Sequence, residues 1–142
     1  TLQVTSPFGS SSQPVTVQST SPGIFVIGTA SDGVSSLGAV VNQTGTLNGA
    51  TSPAVRGSTI TIYCTGLGAT TIKGGLSYAA ATVTATLSGT SVPVSFAGLT
   101  PGFTGLYQVN LPIPTATPPG LLIPLAIQAG PNSSNTVAVA IQ

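Results

Sequence analysis

The chain of 142 residues carries two cations, Arg56 and Lys73, one carboxylate, Asp32, a single Cys and no His, Trp or Met. General acid–base catalysis needs a titratable group held near neutrality, and metal sites need clustered His, Cys or carboxylates, so this inventory argues against an enzyme, a cofactor and a metal centre. Two scattered cations also leave no electrostatic footprint for nucleic acid or for an anionic membrane surface.

The chain is 41% hydrophobic, and 17 Ser and 22 Thr do the solvating that charges usually do. That is the reverse of a disordered composition, and the length suits one domain of about 100–150 residues. No apolar run approaches the ~18 residues of a membrane helix. A transmembrane barrel would want aromatic girdles, which 5% aromatic content supplies poorly.

The elements follow in chain order. Thr1 opens an alternating stretch rather than a basic end followed by an apolar run, so the chain reads as mature or as excised from something longer. Leu2 and Val4 alternate, Pro7-Phe8-Gly9 punctuates, and Val15 and Val17 alternate again, which predicts an N-terminal hairpin over residues 1–20. Residues 39–48 read as a short hairpin turning at Gln43 to Gly45. Ile60, Ile62 and Cys64 share one face of a strand, and Val83, Ala85 and Leu87 point inward with Thr82, Thr84 and Thr86 outward. The same period of two runs through Val92-Val94-Phe96, Tyr107-Val109-Leu111, Leu121-Ile123-Leu125-Ile127 and Val137-Val139-Ile141. Pro93 and Pro124 inside these patterns predict edges or bulges, because proline cannot donate to a ladder.

About nine or ten short strands separated by turn signals predict an all-β fold, an antiparallel immunoglobulin-like β-sandwich with an additional N-terminal hairpin. With one Cys and no Trp, the core must be held by aliphatic packing, with Phe25, Phe96, Phe103 and Tyr107 as its large anchors. Cys64 reads as a small buried hydrophobe rather than a reactive thiol. Lys73, in a Gly-rich loop with only Asp32 to move a proton, makes a poor isopeptide donor. Asn42-Gln-Thr44 and Asn132-Ser-Ser134 are sequons, making Asn42 and Asn132 the candidate attachment points for glycans.

One internal repeat stands out. Residues 2–18 resemble Leu125 to Gln142 in the order strand, Gly/Pro/Ser turn, strand, with Ser12, Val15 and Val17 aligned on Ser134, Val137 and Val139. The terminal hairpin of a sandwich is thus written once at each end of a single body. The expected division is a donor segment over 1–20 and a sandwich domain over 21–142.

Four segments together carry a family resemblance: Ser21 to Phe25, Ala39 to Asn48, Ser52 to Gly68, and Phe96 to Pro112, the last being the most specific. They resemble the Solibacter-type uncharacterised C-terminal domain, a family found at the ends of large secreted or surface proteins of bacteria. The resemblance implies a bacterial, exported, immunoglobulin-like module and brings no catalytic residues. The loop 69–80 departs from the family pattern, with Thr-Thr-Ile-Lys-Gly-Gly where a Pro-rich, more acidic insertion is expected.

The sequence therefore predicts a non-enzymatic structural subunit of an extracellular assembly. A near-zero net charge with positive mean hydropathy leaves little mutual repulsion. Leu2, Val4, Val15 and Val17 have the pattern to extend a sheet on a neighbouring copy, and a head-to-tail contact of that kind grows into a filament, a homopolymer. The other reading is a monomeric surface adhesion or carbohydrate-binding module cut from a larger secreted protein. The threonine row on the strand at 82–86 reads as an ordinary wet face.

Overall fold

The alternating stretches become strands wherever β-branched residues recur every second position. The computed structural model describes residues 1–142. In chain order the strands are β1 (Leu2–Ser6), β2 (Gly9–Gln13), β3 (Gly23–Ile24), β4 (Val26–Thr29), β5 (Ser36–Gly38), β6 (Val40–Val41), β7 (Thr59–Thr65), β8 (Thr70–Lys73), β9 (Leu76–Ala79), β10 (Val83–Leu87), β11 (Thr90–Pro93), β12 (Phe96–Leu99), β13 (Tyr107–Pro112), β14 (Gly120–Ala129), β15 (Asn132–Ser133) and β16 (Val137–Ile141). No helix is present. The fold is all-β.

β1 and β2 pair only with each other. The remaining strands form two sheets that face one another. The first runs β11-β10-β14-β16-β5-β4, with β15 on β14; the second runs β3-β7-β13-β12-β9-β8, with β6 also on β7. Pairing is antiparallel except between β16 and β5, where Ala138 lies opposite Leu37 in parallel. The chain changes sheets at Phe25 and again at Ala39. There the two crossings are bonded to each other, Ala39 N donating to Phe25 O at 2.7 Å, and both are tied to Tyr63 of β7.

Between the sheets lies an aliphatic core. Ile60, Ile62, Cys64, Ala85, Val109, Leu111, Leu125, Ile127 and Ala129 are fully excluded from solvent, as the period of two requires for strands buried on one face. β16 differs, since all five of its residues are buried. The expected aromatic anchors are corrected. Phe25 is 44% and Phe103 61% exposed, because one sits at the crossing between sheets and the other in a loop. Phe96 points away from the core and packs edge-on against Tyr78 at 5.0 Å. Only Tyr107 packs against the core.

Two further expectations need amendment. Leu121 is exposed rather than inward, because the β14–β16 register shifts between Gly120 and Ile123. Pro93 does lie on an edge strand, β11, but Pro124 sits in β14 between two partners. It is tolerated there because β10 ends opposite Leu125; the Pro124 carbonyl meets Ser88 N past the strand end, so the same side of residue 124 needs no ladder donor. The turn at 43–45 forms as expected, with Gly45 at φ 84° and Asn42 N bonded to Thr46 O.

Three asparagines complete the sheets where backbone is missing. A side-chain amide presents an N–H donor and a carbonyl acceptor on the same side, as a strand residue presents its own N–H and C=O to a neighbour. Asn48 uses both on Ala140 of β16, and Asn135 uses both on Ile24 of β3. Asn132 donates to Thr20 O and to Thr20 Oγ1.

Candidate assembly interface

The N-terminal segment is the most unusual surface of the molecule. Every residue from Thr1 to Ser19 is exposed. The two-residue turn Pro7-Phe8 places Ser6 opposite Gly9 and sets the register, with Val4 opposite Ser11 and Leu2 opposite Gln13. Leu2 and Val4 therefore share one face, 57% and 63% exposed, and Phe8 stands at the tip, 99% exposed. A lone two-stranded hairpin is marginal in water until it finds further strands or a surface to cover its apolar face.

The expected second strand is corrected. Gly9–Gln13, not the valine-bearing stretch, pairs with β1; residues 14–18 continue past Leu2 in an open conformation and make no main-chain hydrogen bond. Val15 and Val17 are consequently brought near neither Leu2 nor Val4 across a ladder, and both are exposed. The sequence signal that would have found this is the Ser-Pro-Phe-Gly turn, whose short loop forces pairing to begin at Gly9.

By contrast the root of the segment is fixed. Thr20 is buried, its Oγ1 donating to Ala129 O at 2.9 Å, while Asn132 holds its carbonyl at 2.8 Å. Ser21 N donates to Gly66 O at 2.8 Å. Gly66 and Gly68 both have positive φ, and a Cβ on either would lie within 2.3 Å of the Ser21 or Ser19 carbonyl oxygen, so only glycine lets the chain pass here. This root lies at the end of the first sheet where Val83 pairs with Ala129. The opposite end, where Gly120 pairs with Ile141, carries Gln142, bonded to Ala54 and Arg56.

The sheets offer several open edges. β11 carries Pro93 and β8 carries Lys73, both ordinary guards against edge pairing. β4 carries neither. All four of its residues are exposed, Val26 by 51% and Ile27 by 49%, beside Phe25.

The remaining candidates have structural partners. Asn42 is 8% exposed and its Nδ2 lies between Ser52 O, Ser52 Oγ and Thr46 Oγ1, so a glycan on that nitrogen has no room in the folded chain. Asn132 is half-buried with its nitrogen committed to Thr20. Burial pushes the Cys64 thiol up to about 12, which keeps it protonated and inert. Asp32 is exposed and held below the usual carboxylate range, first by the Ser35 hydroxyl and then by the Val34 and Ser35 amides of its own turn. Lys73 is exposed on β8.

No protein-family model matches the chain, and no curated protein is found similar to it.

Proposed function

We propose that the chain is a non-enzymatic structural subunit of an extracellular bacterial assembly, a filament in which each copy donates its N-terminal segment to the sheet of a neighbour. The observation that carries this reading is a rigidly rooted segment of nineteen exposed residues that presents Leu2, Val4, Phe8, Val15 and Val17 with nothing of its own body to cover them. The internal repeat adds to it. Val15 and Val17 align with Val137 and Val139 of β16, the strand that the body buries on both faces between β14 and β5. A second copy supplies what the segment lacks, and β4 is the acceptor edge that the geometry favours, being apolar and unguarded. Main-chain bonds then give affinity and the alternate valines give register. Donor segment and acceptor edge are different surfaces of the chain, so the contact is heterologous and extends into a filament unless its rotation closes a ring.

The strand order supports an immunoglobulin-like assignment, since β7, β13 and β12 follow the B-E-D order of one sheet and β10, β14 and β16 the C-F-G order of the other. Export fits a chain with one buried thiol, few ionisable groups and the resemblance described above.

Negative-stain imaging and size-exclusion chromatography of the full chain and of a chain lacking residues 1–17 test the proposal; Thr20 and its anchors are retained so that the body keeps its fold. Filaments from the first and folded monomers from the second are expected. Equal polymerisation of the truncated chain would refute donation, and a full chain that stays monomeric at high concentration would favour a monomeric adhesion module.

A further inference from the structure

The outer face of the second sheet gathers aromatic and amide side chains that neither the core nor the N-terminal segment uses. Register sets them in rows. Tyr63 of β7 lies opposite Gln108 of β13, Gln108 opposite Gly98 of β12, and Gly98 opposite Tyr78 of β9. The next row holds Thr61, Asn110 and Phe96. Since Ile62 and Val109 point into the core, alternation turns all of these outward. Four of the seven aromatic residues of the chain belong to this face or its rim: Tyr63, Tyr78, Phe96 and Phe103.

A shallow trough lies among Tyr78, Phe96, Gln108 and Asn110. Gly98 is buried, the space over it taken by Ser77 O and the Phe96 ring, which a Cβ there would meet at 2.0 and 2.9 Å. Beside it is a hollow of about 350 Å³ lined by Tyr78, Phe96, Gln108 and Asn110. Through Leu76 and Pro101 it adjoins a second, of about 220 Å³, that reaches Phe103 and Thr100. Thr100 is nine-tenths buried, and its hydroxyl is the one buried side-chain polar atom of the chain without a partner. Asn110 Oδ1 accepts from Gln108 Nε2 and from Thr61 Oγ1, each at 3.3 Å, which leaves Gln108 Oε1 and Asn110 Nδ2 with no partner in the protein. The trough thus shows one amide acceptor, one amide donor and two ring faces. It contains no charge; Lys73, opposite Leu76 on β8, stands at its margin.

We propose that this trough binds a neutral oligosaccharide. The ring faces of Tyr78 and Phe96 suit the C–H faces of sugar rings, and the two amides suit neighbouring hydroxyls that both donate and accept. An anionic ligand would find no cation within the trough, and a lipid chain would find no enclosed apolar cavity. The two hollows adjoin through Leu76 and Pro101, so the site takes a run of sugar units rather than one. This inference does not depend on polymerisation.

Affinity electrophoresis of the full chain through gels containing mixed-linkage β-glucan, galactomannan, arabinoxylan or polygalacturonate tests it. Retardation by at least one of the three neutral polymers is expected. Tyr78→Ala and Gln108→Ala should each weaken it tenfold or more, with Gln108→Ala, a surface change, leaving the thermal midpoint in place. Binding unchanged in Gln108→Ala and in Asn110→Ala, no retardation by any neutral polymer, or retardation by polygalacturonate alone would each overturn the assignment.

Discussion

Asn48 and Ala140, 92 residues apart in the chain, are joined as neighbouring strand residues would be: Ala140 N donates to Asn48 Oδ1 and Asn48 Nδ2 to Ala140 O, both at 2.8 Å. The same Nδ2 also donates to Asn42 Oδ1 at 2.9 Å. The loop between β6 and β7 is thereby fastened to the strand that the body buries most completely.

Truncating this amide leaves the buried Ala140 N–H and the Asn42 Oδ1 unpaired, each costing about 1–3 kcal/mol, while the Ala140 carbonyl keeps Ala54 N as a donor. Asn48→Ala should therefore lower stability by about 2–4 kcal/mol, read as a lower urea midpoint at unchanged slope. Asn48→Asp keeps the acceptor but loses the donor and buries a carboxyl beside two carbonyl oxygens. Its folded pKa is then raised, so stability is retained below the unfolded carboxyl value and lost as pH rises through the folded one. A pH-independent Asn48→Asp protein would contradict the geometry.

The unsubstituted chain should behave differently. Asp32 is the sole side-chain carboxylate, and the Ser35 hydroxyl and the Val34 and Ser35 amides hold it below the usual carboxylate range. A depressed carboxyl contributes stability above its unfolded value that is lost only as pH falls through the folded one, so the thermal midpoint should stay level from about pH 5 to 8 and drop only in strong acid. Alkali acts through Cys64. Its pKa rises from 9.0 to about 12 on folding, so stability is full below pH 9 and declines above it as the unfolded thiol ionises first. Cys64→Ala should be less stable at neutral pH yet lose this thiol-dependent part of the alkaline decline. Midpoints of both proteins measured between pH 7 and 11 check the sign.

Gly98→Ala places a methyl group 2.0 Å from Ser77 O. β9 must then move from β12, and with it the outer hairpin β8–β9. Trypsin has two sites, Arg56 and Lys73. The parent chain should resist cleavage, and Gly98→Ala should be cut first after Lys73, detected by mass spectrometry of the early fragments. Preferential cutting after Arg56 would mean that the opening lies elsewhere.

A glycopeptide measurement checks the two sequons. Asn42 should carry no N-linked glycan in folded material, because its nitrogen is enclosed by Ser52 and Thr46. Glycan found at full occupancy there would require a different arrangement of the 42–52 loop.

The strands β7, β10, β13 and β16 are legible because buried aliphatic residues at alternate positions are their cause, and the sandwich follows from their number. The hairpin β8–β9 was not, since Thr70 to Ala79 lies on the sheet's outer flank and its exposed Ile72 and Leu76 leave no clean alternation. Assigning Phe25, Phe96 and Phe103 to the core relied on ring size alone. The core excludes them because its two layers are filled by Ile, Leu, Val and Ala from strands already in register. The sheet-completing asparagines have no sequence signature, for nothing local tells Asn48 that Ala140 awaits it. At the N-terminal segment the apolar residues are legible, but the short Ser6–Gly9 turn confines pairing to Gly9–Gln13 and leaves Val15 and Val17 outside the hairpin. The trough among Tyr78, Phe96, Gln108 and Asn110 needs register across β9, β12 and β13, which no single stretch of sequence contains.

The aliphatic centre has a spectroscopic consequence. With no Trp, ultraviolet emission comes from Tyr63, Tyr78 and Tyr107, and two of these stand on the outer face of the second sheet. Intrinsic fluorescence therefore reports chiefly on a surface rather than on the interior, so a titration that fills the trough changes the signal without a label, while the melting of the centre is followed better by far-ultraviolet circular dichroism or calorimetry.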